Sequence, residues 1–98
     1  MNTKEAIEID FSKAVERANE IMDVSRIVSD VTKEQMEAAL NLINHSWEGE
    51  NASEYLRKAG KIKDKMYYTA EALKKTANTL SKTAEIIYAA EIAAINVL

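Results

Sequence analysis

Three consecutive blocks of seven residues near the end of the chain begin alike: TAEALKK at 69–75, TANTLSK at 76–82 and TAEIIYA at 83–89. A seven-residue apolar period marks an α-helix that packs along one seam, because two helical turns bring position i+7 back to nearly the same face. Extending the register places Leu56, Ala59, Lys63, Met66, Ala70, Leu73, Ala77, Leu80, Ala84, Ile87, Glu91 and Ala94 on that seam. Ala alternates with Leu through its middle, which lets two helix axes approach at the short end of the ~8–10 Å range. Lys63 and Glu91 are its two charged positions. A charge on a packed seam is destabilising unless it lies at an end or is used for something. The register predicts a helix over about residues 52–96.

The rest of the chain agrees with a helical plan. There is no Pro, and the two Gly are Gly49 and Gly60. A β fold needs more frequent turn residues than that. Fifteen alanines and 30% charged residues also favour long helices. Residues 1–9 read as a short extended arm, with Ile7 and Ile9 alternating about Glu8. Asp10 is a candidate N-cap for a first helix over about 10–45. Its apolar face recurs at Phe11, Val15, Ala18, Met22, Val28, Ala39 and Leu42, flanked by Ile21, Val24, Ile27, Val31 and Ile43. Thr32 and Gln35 interrupt that stripe. A corner over 46–51 follows, where Gly49 supplies the positive φ of a tight turn. Asn51 with Glu54 resembles a capping box that restarts the helix.

These elements predict a single all-α domain of 98 residues, an antiparallel helical hairpin. Helices of ~33 and ~43 residues would be roughly 50 and 65 Å long. The first has too wide an apolar face for one partner. The second carries Ile62, Ile86, Ile92 and Ile95 off its seam. A lone hairpin rarely buries enough apolar area to offset chain entropy. Two hairpins are therefore expected to pair into a four-helix bundle, with Phe11, Val15, Ala18, Met22, Met66, Ala70, Leu73, Ala77, Leu80, Ala84 and Ile87 in hairpin and dimer packing.

Charge is divided between the halves. Residues 1–56 hold 12 acids and 5 bases, net −7; residues 57–98 hold 8 bases and 4 acids, net +4. Favourable pairing between helices accounts for this, each exposed pair contributing ~0–1 kcal/mol. The basic run Arg57, Lys58, Lys61, Lys63, Lys65 contains Asp64 and sits in a chain of net charge −3. Nucleic-acid domains usually have a clearly basic total, so no nucleic-acid partner is expected.

Several chemistries lack their residues. With no Cys there is no disulfide scaffold, zinc finger or thiol nucleophile. A carboxylate-bridged metal site in a bundle needs two Glu-x-x-His motifs, and His45 is the single His. Ser46 adjoins His45 but no third group orients the pair. No Gly-rich phosphate loop is present. The expectation is a non-enzyme with no metal and no cofactor. Met22, Met36 and Met66 read as core filler. The adjacent Tyr67 and Tyr68 put one ring toward the seam and one outward. No stretch reaches the ~20 apolar residues of a membrane span. Residues 1–10 lack the ~7–15-residue apolar core of a secretory leader. The closing AEIIYAAEIAAINVL has no Lys or Arg for a membrane-surface role, so burial against a partner is expected there, and stable membrane insertion is not.

Trp47, the single Trp, sits in the corner as Trp47-Glu48-Gly49. One reading makes it a plug over the open end of the hairpin. The other rests on the whole layout, an IEID start, a helix, Trp-x-Gly and a second helix. That layout resembles the WXG family, the early-secreted-antigen-like substrates of type VII (ESX) secretion. The resemblance covers the whole chain. It implies a hairpin that dimerises, with itself or with a paralogous WXG-family protein, into a four-helix bundle. It implies a chain that is cytoplasmic before export and secreted folded without a cleaved signal peptide. Recognition would fall to a membrane secretion ATPase of the FtsK/SpoIIIE type. The family carries a second signal near the end of helix two, an aromatic followed four residues later by an acid. Here Glu91 supplies the acid, Ile87 stands four residues before it, and the aromatic, Tyr88, falls one position late. Trp47 of one subunit and the Tyr88/Glu91 region of its partner would then form a composite export signal. Glu91 solvated at a frayed bundle end is the simpler alternative.

The resemblance implies a small secreted, virulence-associated effector or a component of the secretion system. Alternatives are a helical partner or targeting chaperone for a larger type VII toxin, a cytosolic coiled-coil adaptor, or a small membrane-active helical protein.

Overall fold

The computed structural model describes residues 2–46 and 49–97. All of these except Asn2 and Gly49 are helical. Helix α1 spans Thr3–Val31, a π-helical turn spans Thr32–Met36, α2 spans Glu37–Ser46 and α3 spans Glu50–Val97. The chain is an all-α hairpin of two long antiparallel helical arms.

The first helix starts earlier than the sequence reading placed it. Residues 1–9 are not an extended arm, because α1 begins at Thr3. The cause is a reciprocal capping box. The Glu5 backbone N–H donates to Asn2 Oδ1 at 2.7 Å, and the Asn2 N–H donates to Glu5 Oε2 at 3.4 Å. The Ala6 N–H then makes the first i→i−4 bond to the Asn2 carbonyl at 3.0 Å. Asp10, expected as the cap, lies inside α1.

At the other end, α2 continues through Ser46 and α3 begins at Glu50, so the turn is tighter than 46–51. Gly49 has φ +98°, a left-handed backbone that side chains resist. Its carbonyl accepts the Ser53 N–H at 3.2 Å and the Ser53 hydroxyl at 3.4 Å. Gly49, not Asn51, therefore supplies the carbonyl for this first-turn bond. Trp47 and Glu48 lie outside the described residues.

The π-helical turn falls on the segment where Thr32 and Gln35 break the apolar stripe. Among the described residues Thr32 is the most buried side chain, with no exposed surface. Its hydroxyl donates to the Val28 carbonyl one turn back at 2.7 Å, which satisfies it without a cross-helix partner. The Glu37 N–H reaches the Thr32 carbonyl, the i→i−5 bond that defines the wider turn. The extra residue rotates all that follows. Leu40 and Ile43 turn half inward, while Leu42, expected on the packed face, is 68% exposed.

The chain divides into two compact units. The terminal unit joins Met1–Asp23 to Leu73–Leu98, and the corner unit is Val24–Ala72. In the terminal unit Ile7, Ala18, Ala77 and Ala84 are buried. Phe11, Val15, Met22, Leu73 and Leu80 are half-buried beside them. In the corner unit Ala52, Ala70, Ser25 and Thr32 are buried. Small residues dominate both interiors, which is what close approach of two helices requires.

The heptad register of α3 holds through Ala84 and then slips by one. Tyr88, Ile92 and Ile95 turn inward, while Ile87, Glu91 and Ala94 are exposed. A straight helix of 3.6 residues per turn drifts ~20° per heptad against a 3.5 repeat, and a four-residue step restores the face. Glu91 is therefore not a charged break in the hairpin seam.

Candidate interaction site

The slip at the end of α3 builds a site. Ile7, Asp10, Phe11 and Ala14 of α1 face Ala84, Ile87, Tyr88 and Glu91 of α3 across a cleft of 280 Å³. The Phe11 and Tyr88 rings lie 4.6 Å apart between centroids, tilted by 32°. Such a pair contributes ~0.5–1.5 kcal/mol beyond its area burial. The three residues of the expected C-terminal signal, Ile87, Tyr88 and Glu91, thus line one cleft, with Asp10 as a second carboxylate. Tyr88 is half-buried, whereas Ile87 is 51% exposed.

The corner unit has its own apolar groove of 490 Å³, lined by Met36, Ala39, Leu40, Ile43, Tyr55, Lys58, Ala59 and Ile62. The rotation introduced by the π-helical turn is what presents Leu40 and Ile43 here. Lys58 forms an exposed ion pair with Glu54 at 3.4 Å within α3. Of the expected packing residues, Met66 is half-buried and Ala70 is buried in this unit.

Two polar bonds tie the arms of the corner unit together. The buried Ser25 hydroxyl donates to the Ala70 carbonyl at 2.7 Å. The Tyr67 hydroxyl donates to Glu37 Oε1 at 3.2 Å. Loss of solvation, then the negative charge of Glu37 and its hydrogen bond, hold the Tyr67 phenol above its ordinary pKa. Tyr68 points away and is 78% exposed.

Arg17 pairs with Glu20 at 2.9 Å on the surface of α1. Its guanidinium pKa is raised by that hydrogen bond first, and by the charges of Glu20 and Glu16. Arg57, Lys61 and Lys65 are exposed at four-residue steps along one face of α3, while Lys63 is half-buried. His45 is exposed. Among the described residues no group of three or more His, Cys, Asp or Glu could hold a metal ion. No described helix is long and apolar enough to cross a membrane.

Two features escaped sequence reading. The Ser25–Ala70 bond was signalled by spacing, since Ala18, Ser25 and Thr32 are small residues seven apart. The Phe11–Tyr88 pair was not, because the strict heptad pointed to Ile87.

Comparison with family models, curated proteins and solved structures finds no match for this chain.

Proposed function

We propose that this chain is a WXG-like export substrate of a type VII (ESX-like) secretion system, acting as an effector or as a component of that system. The observation that carries the reading is Gly49. It holds φ +98° in the turn between two long helices, so the Gly of Trp47-Glu48-Gly49 occupies a position that the backbone reserves for it.

Pairing of two hairpins into a four-helix bundle, as a homodimer or with a paralogous chain, is part of the same proposal. Each unit leaves apolar side chains in water. In the corner unit these include Ile27, Leu42, Tyr55, Ile62 and Tyr68; in the terminal unit, Ile9, Ile86 and Val97. A second hairpin would cover them. The same exposed residues fit the second reading, a helical partner or targeting chaperone for a larger exported toxin.

Export would proceed through recognition by a secretion ATPase of the FtsK/SpoIIIE type. Tyr88 and Glu91 would form the C-terminal part of the signal. The test compares wild type with Glu91→Ala in the native host, alongside the solution mass of both. Wild type is expected in the medium as a dimer or heterodimer, with Glu91→Ala retained in the cell at normal level and unchanged mass. Export of Glu91→Ala at the wild-type level would remove Glu91 from the signal. A strict monomer at micromolar concentration, with no cognate partner, would remove the bundle.

A further inference from the structure

We infer that the cleft of the terminal unit is a receptor for one cationic side chain, an arginine foremost, presented by a protein partner. Its floor and rim have the chemistry for it. Phe11 and Tyr88 line it with aromatic rings 4.6 Å apart, Ile7 and Ile87 add aliphatic walls, and Asp10 and Glu91 supply two carboxylates. Among the described residues no basic side chain lines it.

Both carboxylates are exposed, and neither forms an ion pair among the described residues. The nearest intrahelical ion pair on α1, Arg17–Glu20, occupies a different turn. An apolar ligand would use the rings alone, whereas a cation engages the carboxylates and the ring faces together. Guanidinium suits the cleft better than ammonium. It is planar, stacks on aromatic rings and is less strongly hydrated.

The identity of the partner rests on the export reading of Tyr88 and Glu91; the chemistry of the cleft does not. An export ATPase would present an arginine with its guanidinium on the Phe11 and Tyr88 side of the cleft, facing the carboxylates of Asp10 and Glu91.

The experiment is a backbone-amide NMR titration of the full chain with N-acetyl-arginine amide, against N-acetyl-norleucine amide in matched KCl. Saturable shifts confined to residues near 7–14 and 84–92 are expected with the arginine probe alone. Glu91→Gln and Asp10→Asn, isosteric changes at exposed positions, should each weaken the response about two- to fivefold, the size of one exposed ion pair. Glu85→Gln, outside the cleft, should leave it unchanged. An equal response to norleucine amide would mark a merely apolar docking face and overturn the inference. So would shifts spread over all surface acids, or a Glu91→Gln response equal to wild type. Arginine binding with undiminished export of Glu91→Gln would support the cleft while removing Glu91 from the signal. Export without arginine binding would overturn the cleft alone.

Discussion

The Ser25 hydroxyl donates a 2.7 Å hydrogen bond to the carbonyl of Ala70, forty-five residues away in sequence. In a unit lined by small side chains, this bond links the two arms through a group that has no water to turn to. Ser25→Ala should therefore lower stability by about 0.5–1.5 kcal/mol. Urea unfolding would show it as a lower midpoint with unchanged slope. Ser25→Val should cost more, because it adds volume where Ala70 lies close.

Gly49 has nothing within 4 Å of where a Cβ would stand, so Gly49→Ala meets no steric neighbour. Its φ of +98° is nevertheless strained for any L side chain. The expected loss is about 1–2 kcal/mol, read by thermal unfolding. Gly60→Ala is the control. It lies inside α3, also with open space, and should be neutral or stabilising by up to ~1 kcal/mol.

The π-helical turn holds one residue more than a regular helix would need between the face that carries Thr32 and the face that carries Leu40 and Ile43. Deleting Gln35, which is exposed within that turn, should convert it to α-helix and keep both faces inward. Circular dichroism should find a folded chain of similar melting temperature. Deleting the equally exposed Asn19 from regular α1 has no slack to use. It should rotate one face off the seam and cause a large drop.

How much of this was legible in the sequence depends on which residues set the register. Ala70, Ala77 and Ala84, seven apart, marked α3, and all three are buried. Gly49 marked the turn. The start of α1 was equally readable, since Asn2 and Glu5 form the same pattern as Asn51 and Glu54, but the short alternation of Ile7 and Ile9 is also compatible with an extended segment. The slip from Ile87 to Tyr88 was not readable from heptads. Drift accumulates gradually, and the residue that turns inward depends on what faces it, here Phe11. The inward turn of Thr32 was hidden for another reason, because its hydroxyl is satisfied within its own helix and so costs little to bury.

Tyr67 links stability to alkaline pH. Its phenol pKa lies above the ordinary ~10 because loss of solvation and Glu37 disfavour the phenolate. A folded pKa above the unfolded one contributes stability that is fully present below pH ~10 and is lost as pH rises through the folded value. Tyr67→Phe should be less stable than wild type at neutral pH, through loss of the 3.2 Å bond to Glu37. It should also lose less stability on going from pH ~8 to ~11. Urea unfolding across that range would measure both differences, and parallel curves would show that Tyr67 carries no such linkage.

In the proposed function, Trp47 and Gly49 mark an exported hairpin. The most direct test is fractionation of the native host expressing wild type or Trp47→Ala, with medium and cell pellet blotted beside a lysis marker. Wild-type protein in the medium, with Trp47→Ala held in the pellet at normal level, is the predicted result. Wild-type protein confined to the pellet while the secretion machinery is running, or Trp47→Ala exported as well as wild type, would contradict it.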